Sequence, residues 1–533
     1  MDTTTDHAAD RDRAAAVSET HTGIVFFAGE RAYKVKKPVD LGFVDLTTRR
    51  ERRRVCHREV ELNRRFAGDV YLGVAELSGP GDEPPEPIVV MRRMPAGRRL
   101  ATLVAARRPV EEPLRAVART LAAWHAQAPR GPHISEQGSR DALRQRWRDS
   151  FEQVRPFHGR SIGAAEAAEI EERVLRFLAG REPLFRSRIQ AGRIVDGHGD
   201  LMATDIFCLD DGPRILDCLE FDDRLRWLDG LDDASFLAMD LERLGAPGLA
   251  ERFLYWYAEY AADPAPASLR HHYVAYRAFV RAKVACLRHA QGDAAAAAQI
   301  DPLTELTLRH LRAGAVGLIL VGGLPGTGKS TLARSLGDRL GCAVLNSDVV
   351  RKELAGIPPD QSAAAPYGTG IYSPAHTERT YATLLGRAET LLEQGESVVL
   401  DASWTVAEHR TLARLLARRT HADLFALRCE APPALAEQRM RGQDGRPLRR
   451  RPRDRGGHGR PQRPLARGRR HRHLRPRRQG RRAGAVDRAP ARRRARVAPP
   501  PATAAGLRRA RCGRGPSSGR MGTKAHPGAR SAR

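Results

Sequence analysis

The segment Gly322-Gly323-Leu324-Pro325-Gly326-Thr327-Gly328-Lys329-Ser330-Thr331 fits the pattern GxxxxGK[ST] from Gly323 to Ser330. Glycines at these places let backbone N–H groups turn toward phosphate oxygens, and a helix starting behind them adds partial positive charge. Lys329 can neutralise the β- and γ-phosphates of a nucleotide, and the Ser330 hydroxyl can ligate Mg2+. Gly323, Gly326, Thr327, Gly328, Lys329, Ser330 and Thr331 are therefore expected to bind the phosphates of ATP. A second carboxylate group fits the same chemistry. Ser397-Val398-Val399-Leu400-Asp401 is an apolar run ending in Asp401, the Walker-B form, which puts Asp401 near the metal ion.

A separate constellation lies upstream. His198-Gly199-Asp200-Leu201-Met202-Ala203-Thr204-Asp205 is followed by Ile215-Leu216-Asp217. An Asp on a loop can orient or deprotonate an acceptor hydroxyl. A side-chain oxygen five residues on, and an Asp ending the next strand, can share the metal ions that bridge ATP phosphates. Two phosphoryl-transfer sites in one chain are thus expected.

These residues need elements to hold them. Residues 1–20 are polar and acidic and read as a disordered leader. Gly23–Phe27 and Arg31–Lys37 alternate across an Ala28-Gly29-Glu30 turn, the pattern of a hairpin. Residues 47–67 carry Val55, Val60, Leu62 and Phe66 at helical spacing. Ile88–Met91 is an apolar strand stopped near Pro95, and helices are expected at about 97–107, 111–128 and 164–190. Two short strands, Ile206–Leu209 and Arg214–Asp217, flank an Asp210-Asp211-Gly212-Pro213 turn; residues 231–314 return to helix. At Val316 the rhythm changes to apolar strands separated by helices, at VGLILVGG, Ala343–Leu345, Ser397–Leu400 and Leu424–Arg428. That alternation predicts a parallel sheet with crossover helices.

Charge divides the chain again. The formal net charge is +28, yet residues 443–533 hold 30 Lys and Arg against 3 Asp and Glu, while residues 1–442 hold 61 against 60. The basicity belongs to the tail. This Arg/Pro/Gly-rich text has no Phe, Tyr or Trp, cannot bury a core, and is expected to be disordered. It begins inside an unfinished α/β domain and has the composition of a GC-rich gene read out of frame, so a frameshifted terminus is expected, with a natural basic tail as the alternative. Without aromatic residues to stack on bases, any nucleic-acid binding by it is expected to be nonspecific and salt-dependent. Seven scattered cysteines without a CxxC or zinc spacing, no apolar leader, and no run of ~20 apolar residues predict reduced thiols and a cytoplasmic protein.

Residues 315–442 resemble the P-loop kinases that include polynucleotide, gluconate and zeta-toxin-type kinases. In such kinases the loop Asn346-Ser347-Asp348-Val349-Val350-Arg351-Lys352 faces the phosphate acceptor. The resemblance makes Asp348 a general base and Arg351 a phosphate or substrate clamp; the alternative is an N-capping Asp with a solvated Arg. Arg410 and Arg439 are candidate lid arginines. The resemblance stops where a lid, fifth strand and final helix would close the fold. The HGDL motif with its strand-turn-strand resembles aminoglycoside phosphotransferases and their choline and homoserine kinase relatives. That resemblance makes Asp200 the catalytic Asp, puts Asp205 where Asn is usual, and gives Asp217 a metal-binding role. It implies Lys34, on the second hairpin strand, as the ATP-pairing lysine, with Lys36 two residues on sharing its face. Glu59 is its expected helix partner, with Glu61 as runner-up.

Together, residues 20–442 resemble bacterial bifunctional aminoglycoside phosphotransferase-like/ATP-binding proteins. The implied architecture is an α+β protein-kinase-like domain over 21–314, then an α/β P-loop kinase domain over 315–442, then the tail. The implied activity is ATP- and Mg2+-dependent phosphorylation of a small hydroxyl compound. Two rivals stand beside it: a nucleotide hydrolase gating a pseudokinase, and a nucleic-acid binder acting through the tail.

Overall fold

Alternation sets the first sheet. In the strand Arg31–Lys36, Ala32, Lys34 and Lys36 are buried while the residues between them face outward. The computed structural model describes residues 16–19, 23–40, 45–78, 84–358, 361 and 369–443. The expectations for residues 1–15 and for the tail beyond 443 lie outside the described residues.

Five antiparallel strands form the N-terminal sheet: β1 (Ala16–Glu19), β2 (Gly23–Ala28), β3 (Arg31–Lys36), β4 (Tyr71–Leu77) and β5 (Glu86–Arg92), in the order β1-β2-β3-β5-β4. Helix α1 (Arg49–Ala67) packs on β4 and β5, capped by the Thr48 hydroxyl, which accepts from the Glu51 N–H at 3.3 Å. Two of these elements correct the sequence reading. Ala16–Glu19, read as part of a disordered leader, pairs with β2. Tyr71–Leu77, not read as a strand, pairs with β5 through an irregularity at Tyr71/Gly73.

A helical lobe follows: α2 (Leu100–Ala105), α3 (Glu111–Gln127), α4 (Pro132–Glu136), α5 (Arg140–Val154), α6 (Ala164–Ala179), α7 (Glu182–Gln190), α8 (Gly230–Arg243), α9 (Pro247–Tyr260), α10 (Ala267–Ala290) and α11 (Ala297–Ala313). The expected helix over 164–190 is broken at Gly180 and Arg181, and α5 was not expected. Between α7 and α8 the chain makes two small antiparallel pairs. One joins β6 (Ile194–Asp196) to β9 (Trp227–Asp229), the other β7 (Ile206–Leu209) to β8 (Gly212–Ile215). They hold the loop that carries His198 to Asp205.

The C-terminal module is a parallel sheet of β10 (Gly317–Gly322), β11 (Ala343–Asn346), β12 (Val398–Asp401) and β13 (Asp423–Arg428), ordered β11-β12-β10-β13. Its helices are α12 (Lys329–Leu340), α13 (Ser347–Leu354), α14 (Pro374–Glu393), α15 (Ala407–Arg419) and α16 (Pro433–Gln443). β10 is buried on both faces, as a central parallel strand should be. Leu318 and Leu320 join the same apolar cluster as Trp147, Phe279, Leu311 and Val316, so one core runs through both modules. No described helix is long and apolar enough to cross a membrane.

Candidate active sites

The N-terminal site is assembled by three distant pieces of chain. From β3, Lys34 Nζ donates to Glu59 Oε1 of α1 at 2.9 Å and to Asp217 Oδ1, just past β8, at 2.7 Å. Lys36 lies on the same face, but its Nζ forms ion pairs with Glu59 Oε2 at 2.6 Å and Glu220 Oε1 at 2.5 Å. The geometry separates the two lysines left equivalent by strand period, since of the two only Lys34 lines the cleft described below. It separates the glutamates as well: Glu59 is fully buried against both lysines, while Glu61 makes an exposed pair with Arg58.

The cleft beside Lys34 has a volume of about 420 Å3. Val25, Phe27, Ala32, Phe207 and Leu216 give it apolar walls, Arg93 and Met94 line it where β5 leads to the helices, and Asp205 and Asp217 stand at its polar end. Such a size and lining suit a flat heterocycle with a charged appendage. Asp217 sits at φ 65, a left-handed conformation costly for a residue with a Cβ. The Lys34 ammonium holds its carboxyl down at about 2. Burial pushes the Asp205 carboxyl up, and the charges of Asp217 and Asp200 push it further. Asp205 accepts one side-chain hydrogen bond, from Thr204 Oγ1 at 3.0 Å. Two close carboxylates with so few donors fit a divalent cation. Among the described residues no group of three His, Cys, Asp or Glu side chains is placed to hold a metal ion.

Asp200 is half-buried, and burial pushes its carboxyl up to about 6, opposed by Arg281 and Arg277 of α10. The loop bearing it is tied down by Asp233, in the first turn of α8. Asp233 Oδ2 accepts from the His198 N–H at 2.7 Å and Oδ1 from the Gly199 N–H at 2.9 Å. His125 Nε2 contacts Oδ2 at 3.0 Å. Asn63 of α1 accepts from the Cys218 N–H at 2.9 Å, and the Tyr71 hydroxyl accepts from the Asp217 N–H at 3.2 Å. Asp233, Asn63 and Tyr71 were missed in the sequence; each is an ordinary residue on its own element, brought to the candidate site only by tertiary approach.

The second site lies between β10 and α12. Gly326 has φ 76, and a Cβ there would meet the Ala436 carbonyl oxygen at 2.4 Å, because α16 lies against the loop. Gly323, at φ 137, is pressed equally close to the Cys429 carbonyl oxygen. Gly328 caps α12 at φ 94. Lys329 Nζ donates to the Leu324 carbonyl at 2.9 Å, as does Thr327 Oγ1 at 2.7 Å; Ser330 and Thr331 are exposed in the first turn of α12. Asp401 is buried at the end of β12, where its carboxylate accepts from Asn346 Nδ2 at 2.6 Å; burial pushes the Lys329 ammonium down, and the Asp401 charge offsets part of that. A cleft of about 770 Å3 opens beside the loop, lined by Trp404 and Arg410 among others. Arg410 Nη1 donates to the carbonyls of Trp404 and Thr405, and Arg439 Nη1 to that of Gly326 at 3.4 Å.

Two residues expected here are turned elsewhere. Arg351, read as a clamp, is buried; its Nη1 donates to the Ile371 carbonyl at 2.7 Å and Thr377 Oγ1 at 3.0 Å, and it lies over the Tyr372 ring. It pins the chain before α14 instead of reaching the P-loop. Asp348, read as a base, is exposed in α13 and pairs with Lys352 at 3.3 Å; the N-cap is Asn346, which accepts from the Asp348 and Val349 N–H groups.

A family model described as an AAA domain matches residues 318–455. The APS kinase CysC of Mycobacterium tuberculosis, solved with AMPPNP and APS, covers 24% of this chain and 68% of its own at 27% identity and a TM-score of 0.19. APH(2")-IIia, solved with GDP and kanamycin, covers 56% of this chain and 93% of its own at 15% identity and a TM-score of 0.39. The N-terminal module is an α+β fold, a five-stranded antiparallel sheet followed by a helical lobe, and the C-terminal module, where the AAA-domain model matches, is a P-loop fold with a parallel sheet. The uncharacterized protein Rv2004c of Mycobacterium tuberculosis is 46% identical over 415 residues, 78% of this chain and 83% of its own length. On that extent of identity, the chain belongs to the same family as Rv2004c.

Proposed function

We propose that the chain is an ATP-dependent phosphotransferase with two nucleotide-binding modules, the first of which phosphorylates a hydroxyl of a small molecule. The observation that carries this reading is the convergence of Lys34, Glu59 and Asp217 from strand, helix and loop at the polar end of an apolar cleft. Bound Mg-ATP would supply the transferable phosphoryl group and the cation that offsets its charge. Lys34, fixed by Glu59, offers its ammonium to phosphate oxygens. Asp205 and Asp217 are the residues that would hold Mg2+. Asp200 takes the proton of the acceptor hydroxyl, and a carboxyl at about 6 is largely ionised at neutral pH. In the second module Lys329 exchanges the Leu324 carbonyl for phosphate, with Ser330 and Asp401 as the metal residues. Both modules work by positioning and charge compensation of a loose transition state.

A screen of hydroxyl metabolites for ATP-dependent mass gain tests the reading. A phosphorylated product, lost in Asp200→Asn and retained in Lys329→Ala, is the expected result for the N-terminal module. Product formation unaffected by Asp200→Asn would sink the assignment. The engagement of Arg351 by Ile371 and Thr377 favours a second reading of the P-loop module alone, as a nucleotide-responsive module without a phosphate acceptor. ATP turnover that is lost in Lys329→Ala and yields no phosphorylated product would support it.

A further inference from the structure

The strand β13 ends the parallel sheet and pairs only with β10 among the described residues. The Asp423 N–H donates to the Val316 carbonyl at 2.8 Å, and the Cys429 N–H to the Gly322 carbonyl at 2.8 Å. The odd-numbered residues therefore turn their backbone groups toward β10, and Leu424, Ala426 and Arg428 turn theirs outward. No described residue bonds those outward groups. Phe425 is 54% exposed and Leu427 40%, and Ala426 between them is exposed as well. From Leu424 to Leu427 there is neither a charge nor a proline. Edge strands are ordinarily protected by such residues, because an open apolar edge is a template for another strand.

The chain's own tail does not supply that strand. Residues 444–533 contain no Phe, Tyr, Trp or Ile, and no two large apolar residues adjoin in them.

The edge is instead complementary to itself. In an antiparallel pair, residues directly opposite both face the partner strand or both face away, so Leu424, Ala426 and Arg428 can oppose only one another. The two-fold register centred on the exposed stretch puts Ala426 opposite Ala426. Leu424 then opposes Arg428, and Phe425 opposes Leu427 on both sides of the axis, with no like charges face to face. Apolar pairs of this kind stabilise a ladder. The ends match as well. Arg414, Arg418 and His421 line a groove beside Leu424 at the start of the strand, where Asp423 is already held by Arg176 at 2.6 Å. Glu430, its side chain 72% exposed, stands just past the other end, paired with Arg428 at 3.0 Å. Antiparallel pairing carries Glu430 of one copy to the basic groove of the other. We propose that β13 is a dimerisation edge, where two copies of this chain pair about a two-fold axis and join their four-stranded sheets into one.

The test is sedimentation velocity of the full chain up to tens of micromolar, in high salt to screen contacts made by the basic tail. A concentration-dependent equilibrium between monomer and dimer is expected. Phe425→Lys alters a side chain that is more than half exposed and sets a charge against Leu427 twice, so the dissociation constant should rise about tenfold or more. Ala426→Pro removes an N–H that no bond within the sheet uses, and should weaken the dimer likewise. Ala426→Cys places a thiol on the axis, and a short bismaleimide should link its dimer well above the level in the parent. A parent that stays monomeric overturns the proposal. So does a dimer as tight in a Phe425→Lys protein that melts like its parent, which decides the matter even if Ala426→Pro fails to fold. An Ala426→Cys dimer that the reagent links no better than the parent overturns it too.

Discussion

Lys34 and Lys36 leave the same strand in the same direction and meet the same glutamate, yet their removal should have opposite consequences. Lys36 is 2% exposed and holds Glu59 at 2.6 Å and Glu220 at 2.5 Å. Lys36→Met leaves Glu59 with Lys34 but strands Glu220, whose side chain is only 12% exposed, and removing one partner of a buried pair costs about 3–5 kcal/mol. Lys34→Met leaves Glu59 with Lys36, and frees Asp217, whose side chain is 46% exposed and can be solvated. The cost there should be about 1 kcal/mol or less. Each kcal/mol moves the melting temperature by about 2–4 °C in a domain of moderate size. Lys36→Met should therefore melt at least about 6 °C below the parent, and Lys34→Met within about 4 °C of it. The functional order reverses. Scanning fluorimetry with and without Mg-ATP, in the Lys329→Ala background to silence the P-loop, should show the nucleotide shift lost in Lys34→Met and kept in Lys36→Met, measured below its melting point. A Lys34→Met protein that keeps the shift, beside a stable Lys36→Met protein that loses it, would refute the division of roles.

Other outcomes follow from the same coordinates. Asp233→Ala leaves the His198 and Gly199 N–H groups and His125 without their acceptor, at about 1–3 kcal/mol each, and should unfold the N-terminal module; Asp233→Asn should fold with kcat reduced more than the KM for ATP, and equal effects on both would contradict a positioning role. Because Asp200 must be ionised to accept a proton, kcat/KM should fall about tenfold per pH unit below about 6. Arg281 holds that carboxyl down, so Arg281→Gln should move the acid limb to higher pH; a flat profile from pH 5 to 7 speaks against Asp200 as the base. One core runs through both modules, so calorimetry of the full chain should give a single unfolding transition, and two well-separated transitions would show that the modules fold independently. With 30 basic residues in 443–533, removal of that segment should abolish nucleic-acid binding, and affinity that survives the truncation refutes the tail as its source.

The P-loop and the His198–Asp205 loop were legible because their chemistry is local. Phosphate cradles need glycines at fixed offsets, and Gly323 and Gly328 adopt positive φ where the pattern puts them, as does Gly326 between them. The parallel sheet was legible for a related reason: β10 and β12 are buried on both faces and read as unbroken apolar runs. Elements at the margin were not. β1 is four residues long and exposed throughout, and β4 is exposed over most of its length and irregular, so neither carries an apolar signature. Helix α5 has an apolar stripe at Leu143, Trp147, Phe151 and Val154, submerged among arginines that snorkel around it.

Side-chain destinations were the hardest to read, because a long cation reaches in any direction from its backbone. Arg351 stands at the offset expected of a clamp, yet Ile371, Thr377 and Tyr372 take its guanidinium, and all three come from a segment whose return to α13 no pattern announces. Lys34 and Lys36 differ only in which carboxylate past β8 each one meets, Asp217 or Glu220, and that choice is made 183 and 184 residues away. The same holds for Arg181: only the docking of the Thr420–Asp423 turn buries its guanidinium, which donates to the Gly180 and Thr420 carbonyls. The residues of the candidate sites are ordinary in type. Burial and approach give them their roles, by removing the water that would otherwise satisfy each charge equally well.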